Sequence, residues 1–146
     1  MDYNRKSDII AYVDGSYNNS TKTVGYGIVF VNNNQIILKK FGIVLNCKQT
    51  SSCNVLGELQ AAINAVEIAI ANVMKKLTIA YDYEGIPNFV SGKYKAKKEV
   101  SKEYKSIMQY YSKHITISFM KIQAHSKNTY NDMADNLAKI GSNVQK

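Results

Sequence analysis

The sequence is poor in the residues that mark several classes of protein. It contains no tryptophan, one proline and only two cysteines in 146 residues. Cys47 and Cys53 form neither a CxxC pair nor a disulfide framework, so we expect two reduced thiols in a cytoplasmic protein. No apolar run reaches the roughly 20 residues of a membrane span, and the amino terminus lacks the apolar core of a signal peptide. We therefore expect no association with a membrane.

The length and the hydrophobic content predict a single folded domain. A chain of 146 residues has the usual size of one domain, and 45% hydrophobic residues are enough for one core. Only 21% of the residues are charged, which is not the composition of a disordered chain. We expect residues 1–146 to form one monomeric domain, with residues 1–8 as a short polar leader.

Acidic residues are scarce relative to basic ones. Nineteen basic residues against eleven acidic residues give a net charge of +8, and Arg5 is the only arginine. A cationic surface attracts polyanions because their binding releases counterions, so nucleic acid is the first candidate partner. Anionic lipid is the second candidate, but no basic amphipathic helix supports it.

The hydrophobic patterning predicts the order of strands and helices. Apolar, β-branched runs predict strands at 9–13, 25–31, 35–45, 77–81 and 115–122. A spacing of three and four predicts a helix over 55–76, with Ser51, Ser52 and Asn54 as candidate caps. Further helices are expected near 101–111 and 130–140, the last one ended by Gly141, with a short helix or loop between Pro87 and Gly92. The order βββαβαβα predicts an α/β fold, in which helices pack on one mixed five-stranded sheet.

The few acidic residues occupy particular positions in this predicted fold. Asp14 begins a turn at the end of the first strand, and Asp82 ends the fourth strand. Parallel neighbouring strands would bring both carboxylates to one edge of the sheet, where α/β proteins form their sites. Glu58 falls on the first turn of the long helix, while Asp132 and Asp135 share a face of the last one. Taken singly, each acid has an ordinary explanation as a turn residue or a helix-dipole charge.

Several carboxylates at one place require protons or a cation. Two like charges about 4 Å apart repel by roughly 4 kcal/mol at an effective dielectric constant near 20. Ligands that are all oxygen favour Mg²⁺ or Mn²⁺ over zinc. Two such ions about 3.5–4 Å apart activate a water and stabilise the leaving oxygen of a phosphodiester. An acidic metal pocket within a basic surface indicates a nuclease.

Four segments of the chain resemble the blocks of type 1 ribonuclease H. They are YVDGS at 12–16, GELQAA at 57–62, YDYEGI at 81–86 and AHSKNTYNDMADNLAK at 124–139. The blocks fall in the family's order and cover nearly the whole chain, and the DYEGI form resembles a bacterial subgroup. The resemblance implies a ribonuclease H-like fold and endonucleolytic cleavage of the RNA strand of RNA/DNA hybrids with two Mg²⁺ ions, Mn²⁺ being an alternative.

The resemblance also assigns roles to individual residues. Asp14, Glu58, Asp82 and Asp135 match the four metal-binding carboxylates of the family. His125 matches a loop histidine that moves protons or assists product release. The implied substrate contacts are Gly15 and Ser16 at the RNA backbone and Asn54 in the minor groove.

The sequence departs from the family in its substrate-binding parts. Cys53 stands where the family often has a threonine that grips a DNA phosphate, and Ser51 or Ser52 is the candidate substitute. Familiar members of the family use tryptophans in a basic protrusion, and this sequence has no tryptophan. Residues 93–105 carry six lysines instead, and we interpret Lys95, Lys97 and Lys98 as hybrid contacts, the alternative being a merely solvated helix face. Glu84 is either a further metal ligand or an unrelated surface acid.

Two other functions remain open at this point. A hybrid- or duplex-binding module on the same fold would do no chemistry, although a pure binder has no need of mutually repelling acids. An integrase- or resolvase-like enzyme on this fold would cut DNA. Because a fold alone does not specify an activity, the three candidates must be separated by experiment.

Overall fold

A computed structural model describes residues 9–44, 50–123 and 128–144 of the chain. Its strands are β1 (Ile9–Asn18), β2 (Thr23–Asn32), β3 (Gln35–Val44), β4 (Lys76–Tyr81) and β5 (Thr116–Lys121). Its helices are α1 (Thr50–Ala71), α2 (Gly85–Ser91), α3 (Glu99–Tyr111) and α4 (Thr129–Ser142). The strands form one mixed sheet in the order β3-β2-β1-β4-β5, which confirms the predicted α/β class. In the part of the chain described, no helix has the length and apolarity needed to cross a membrane.

The strand pairings follow from the connections between them. β2 and β3 form an antiparallel hairpin whose turn residues, Asn33 and Asn34, have φ angles of 54° and 59°. Positive φ at both central positions suits the right-handed twist of a hairpin, and asparagine tolerates it. β1 pairs antiparallel with β2 and parallel with β4, and β5 is parallel to β4. The carboxyl ends of β1, β4 and β5 therefore point the same way.

Helices cover both faces of the sheet. On one face, the alanines and branched residues of α1 pack with α3 against the main core. On the other face, Ala134 and Ala138 of α4 lie on β2 at Gly25 and Gly27, where an added Cβ would overlap the helix backbone. These small residues bring α4 directly onto the sheet, so its side chains reach the edge where β1 and β4 end.

The first strand is longer than predicted. The sequence predicts a turn at Asp14, Gly15 and Ser16. All three residues instead continue in β1, where they pair with Gly27, Tyr26 and Gly25 of β2. The ladder to β2 supplies their backbone hydrogen bonds, so tertiary pairing overrides the local turn preference.

The ends of α1 also differ from the prediction. The helix begins at Thr50, so Ser51, Ser52 and Asn54 lie within it rather than at its cap, and Glu58 falls in its third turn. It ends at Ala71 instead of residue 76. Val73 takes a left-handed φ of 58°, and the bonds Val73 N–H to Ile70 O and Met74 N–H to Ala69 O close a Schellman motif. Valine is rarely found there, so the sequence carries no sign of this ending.

Two further predictions fail. Gly141 does not stop the last helix; it lies inside α4, where the absence of a side chain lets the helix contact Gly42 and Gly25. Cys53 is buried and disulfide-bonded, so the prediction of a reduced thiol is wrong for it. Disulfide formation depends on Cα distance, which sequence spacing does not fix. Cys47 and residues 1–8 lie outside the described residues, and the cysteines no longer support the cytoplasmic prediction.

Candidate active site

Asp14 and Asp82 lie on the two central parallel strands. Tyr12 is in register with Ala80, so Asp14 stands beside the position of Asp82, immediately after β4 ends. Asp14 is half-buried and accepts a hydrogen bond of 2.9 Å from the Gly15 N–H, whereas Asp82 is exposed. The predicted meeting of these two acids at one edge of the sheet therefore has a structural basis in the β1–β4 register.

Glu58 reaches the same edge from α1. A Cβ on Gly15 would overlap the backbone of Gly57 and Glu58, so β1 and α1 touch at this point with two glycines between them. The close approach places the Glu58 carboxyl in hydrogen-bond contact with Asp14. Its Oε2 atom is buried and has no hydrogen-bond partner. A buried polar atom without a partner is costly, which marks it as a group that a ligand would satisfy.

Asp135 approaches from the opposite face of the sheet. It follows Ala134, one of the residues that hold α4 on β2, and its carboxyl interacts with that of Asp14. Its Oδ2 atom also pairs with Lys139 Nζ at 3.0 Å, one helical turn further on. Two helices that are far apart in the sequence, α1 and α4, thus bring acids to Asp14.

Two of these carboxyl groups, those of Asp14 and Glu58, have raised pKa values. Burial raises the pKa of Asp14 to about 6, although the hydrogen bond from Glu58 opposes the rise. Burial is also the main cause that raises the pKa of Glu58 to about 10, with the charge of Asp14 second and that of Asp82 adding to it. At neutral pH, Glu58 is therefore protonated and donates a hydrogen bond to the carboxylate of Asp14.

The carboxylates suit a hard cation, but they are not arranged as a finished metal site. Among residues 9–44, 50–123 and 128–144, no three histidine, cysteine or acidic side chains are grouped closely enough to hold an ion. The contacts are pairwise instead, Asp14 with Glu58 and Asp14 with Asp135. A shared proton and a lysine ion pair balance the charges in this arrangement. The all-oxygen donor set and the unpartnered Glu58 Oε2 fit Mg²⁺ or Mn²⁺.

A cationic cavity lies on the α3 side of the molecule. It has a volume of about 520 Å³, and its charged lining residues are Lys95, Lys97, Lys102 and Lys105. Lys98 borders a neighbouring cavity of about 280 Å³, whose floor includes Val55 and Tyr83. The lining of this second cavity includes Tyr83, the residue after Asp82. Lys102 and Lys105, the two lysines of α3 within the predicted basic segment 93–105, therefore line the same cavity as Lys95 and Lys97.

The structure describes only some of the remaining residues that were predicted to contact the substrate. Gly15 belongs to the close contact between β1 and α1, and the Ser142 hydroxyl at the end of α4 donates to Ser16 Oγ at 3.2 Å. The side chains of Ser52 and Asn54 and the whole of His125 lie outside the described part of the chain. Their predicted roles stay predictions.

The sequence comparison decides the family. A family model described as RNase H matches residues 6–143. The chain belongs to the RNase H family. Searching curated proteins found no match.

Solved structures support the same fold for this RNase H. RNase H1 from Halobacterium salinarum shares 17% identity and a TM-score of 0.77, over 92% of this chain and 96% of the other. The N-terminal RNase H domain of Rv2228c from Mycobacterium tuberculosis shares 16% identity and a TM-score of 0.76, over 93% and 99%. LC11-RNase H1, from a compost metagenome and solved with an RNA/DNA hybrid, shares 18% identity and a TM-score of 0.71, over 91% and 98%.

The predictions of an RNase H fold and a ribonuclease H enzyme are confirmed by these findings. The assignment to the DYEGI subgroup stays a prediction. Two lysines of this RNase H were missed by the sequence analysis. Lys139 could have been found from its i,i+4 spacing to Asp135, whereas Lys121, which pairs with Glu84, carries no local signal.

Proposed function

We propose that this RNase H hydrolyses the RNA strand of RNA/DNA hybrids with divalent metal ions held by Asp14, Glu58, Asp82 and Asp135. The observation that carries the proposal is the contact of Asp14 with both Glu58 and Asp135, acids from three separate elements, in a chain that matches the family over residues 6–143. The hybrid bound by LC11-RNase H1 supports the choice of substrate.

The state of each acid indicates what it would do. Glu58 would lose its proton, and its unpartnered Oε2 would bind the metal. Asp14, which contacts both Glu58 and Asp135, would be a metal ligand beside it. Asp135 would exchange part of its pairing with Lys139 for the metal, and exposed Asp82 would complete the set. When bound, two Mg²⁺ ions supply activation of a water and stabilisation of the departing 3′ oxygen.

The rest of the chain would bind and orient the hybrid. Lys95, Lys97 and Lys98 border the two cavities on the α3 side, where cationic side chains favour phosphate groups. Gly15 and Ser16 lie beside Asp14, where contacts to 2′-hydroxyls would distinguish RNA from DNA. By the resemblance, Asn54 and Ser52 would contact the hybrid and His125 would assist proton transfer or product release.

We further propose that the protein is a monomer and that it acts in the cytoplasm.

Incubation of an end-labelled RNA/DNA hybrid with the protein tests the proposal. We expect internal RNA cleavage with Mg²⁺ and none with EDTA. Asp82→Asn should abolish cleavage but retain hybrid binding, because it removes a metal-binding charge without removing the cationic surface. Asp132→Asn is the matched control, since Asp132 is an exposed aspartate one turn before Asp135 and should leave cleavage unchanged.

The same assay separates the alternatives. Full activity of Asp82→Asn would contradict the metal-ligand assignment. Hybrid binding with no cleavage under any divalent ion would indicate a binding module. Cutting of a DNA duplex in preference to the hybrid would indicate an integrase- or resolvase-like enzyme. Parallel reactions with Mn²⁺ establish which ion the carboxylates prefer.

A further inference from the structure

An ion pair joins the carboxyl ends of two strands next to the acidic site. Lys121 is the last residue of β5 and is in register with Tyr81, the residue before Asp82. Its Nζ pairs with Oε1 of Glu84, which lies two residues after Asp82, at the start of α2. The backbone of Lys121 therefore lies one strand spacing, about 4.8 Å, to the side of Tyr81 and of the segment that carries Asp82.

Stability does not explain this pair. The side chains of Lys121 and Glu84 are 53% and 38% exposed, and ion pairs this open to water contribute little to folding. For the same reason, Lys121 can leave Glu84 at small cost and offer its ammonium group to another anion. Its long stem and compact charge suit a phosphate group.

The charges around Lys121 indicate what this residue does. Glu84 would repel a polyanion at the side of the site, and Lys121 balances that charge. Its hydrogen bond with Glu84 is the main cause that raises the pKa of Lys121, and the negative charge of Asp82 contributes. Lys121 is exposed where β4 and β5 end, and it interacts with Asp82, one of the four candidate metal ligands.

We propose that Lys121 binds a phosphate group of the hybrid at the β5 side of the carboxylate cluster, and that Glu84 holds the lysine in place until substrate arrives. This inference rests on the proposed function. It assigns Lys121 as a substrate-binding residue and Glu84 as a positioning residue, which replaces the two earlier interpretations of Glu84 as a metal ligand or an unrelated surface acid.

Hybrid binding measured by fluorescence anisotropy in EDTA over a range of salt concentrations tests the inference. We expect Lys121→Ala to raise Kd about three- to tenfold and to lower the slope of log K against log salt by about 0.9, the amount for one phosphate contact. Lys121→Arg should restore most of the slope. Lys113→Ala, an exposed lysine just before the amino end of β5, is the matched control and should leave both quantities unchanged.

A double variant separates phosphate binding from simple charge balance. If Lys121 touches phosphate, Glu84→Gln combined with Lys121→Ala keeps the reduced slope, while Glu84→Gln alone tightens binding because it frees the lysine. A double variant with the wild-type slope would overturn the inference, since the lysine would then serve only to neutralise Glu84. An unchanged slope in Lys121→Ala would also overturn it.

The proposed function can fail separately. Wild-type protein that neither binds nor cuts the hybrid contradicts the proposed function itself. Wild-type protein that binds and cuts while Lys121→Ala behaves like Lys113→Ala contradicts only the role of Lys121. In cleavage assays with Mg²⁺, the loss in Lys121→Ala should appear in KM rather than kcat, whereas a purely structural lesion would lower the melting temperature instead.

Discussion

Glu58 is the residue in which the conflict between folding and activity is concentrated. Its carboxyl is largely buried, its Oε2 has no partner, and its proton is shared with Asp14. An apolar or amide side chain at this position would avoid the cost of burying an acid. The protein instead keeps a buried acid, as expected of residues that serve function at the expense of stability, and under the proposed function a cation in place of the proton would satisfy its Oε2.

The metal-free protein should lose stability as pH rises, because of Glu58. Its pKa is about 10 when folded and 4.5 when unfolded, so the folded state binds more protons between those values. The stabilising effect is complete below about pH 4.5 and is lost progressively up to pH 10. Between pH 6 and 8, the free energy of unfolding should fall by up to about 1.4 kcal/mol per pH unit.

Urea unfolding in EDTA at pH 6, 7 and 8 measures this dependence. Glu58→Gln should flatten it, because the amide does not titrate, whereas Glu103→Gln, at an exposed glutamate of α3, should leave it unchanged. Adding Mg²⁺ should reverse the trend for the wild type, since metal binding requires the deprotonated acids. Equal slopes for the wild type and Glu58→Gln would show that Glu58 is already ionised in the folded protein.

Among the elements, α4 depends most on glycine for its position. It crosses β2 at Gly25 and Gly27, and a Cβ on Gly27 would lie 2.7 Å from the backbone nitrogen of Ala138. Nothing flexible can yield there, because the opposing atoms include helix backbone. The position of the Asp135 carboxyl thus depends on the absence of a side chain on another element.

Gly27→Ala should therefore damage activity as well as stability. We expect α4 to move away from the sheet, with a loss of about 1–3 kcal/mol in the free energy of unfolding. Hybrid cleavage should fall further than the folded fraction alone explains, because Asp135 moves with the helix. Asn136→Ala, at an exposed position of the same helix, controls for a change of side chain on α4. Cleavage that simply follows the folded fraction would mean that the site tolerates the displacement.

At the scale of the whole molecule, the net charge of +8 is less informative than its distribution. Four lysines line the cavity on the α3 side, while Lys39 and Lys40 lie exposed on β3, the opposite edge strand from β5. All of them add to the net charge. The first group is gathered around a concave surface, next to a second cavity whose lining includes Tyr83, the residue after Asp82.

Removing lysines in pairs tests whether hybrid binding depends on where the lysines lie or only on how many there are. Lys95→Ala combined with Lys97→Ala should weaken hybrid binding and lower the salt slope by about 0.9 per lost phosphate contact. Lys39→Ala combined with Lys40→Ala removes the same charge from the opposite edge and should change the slope little. Anisotropy titrations over a range of salt concentrations compare the two variants. Equal effects would indicate diffuse attraction and would assign Lys95 and Lys97 to bare surface.

Much of the fold was accessible to sequence reasoning because burial leaves a local pattern. The order of strands and helices along the chain, the long helix and the mixed sheet follow from runs of apolar residues and from the change of period after β3. The candidate acids could be named in advance for a related reason, since carboxylates at strand ends and on helices stand out in a basic chain.

Distances between remote residues were decided only by the tertiary structure. The continuation of β1 past Asp14 and the pairing of Glu84 with Lys121 depend on partners far away in the sequence. The left-handed Val73 and the disulfide of Cys53 depend on local geometry that no residue pattern records. Sequence periodicity records which side of an element is buried. It does not record how closely two elements approach, and at this site that approach is controlled by glycines whose role appears only when the backbones meet.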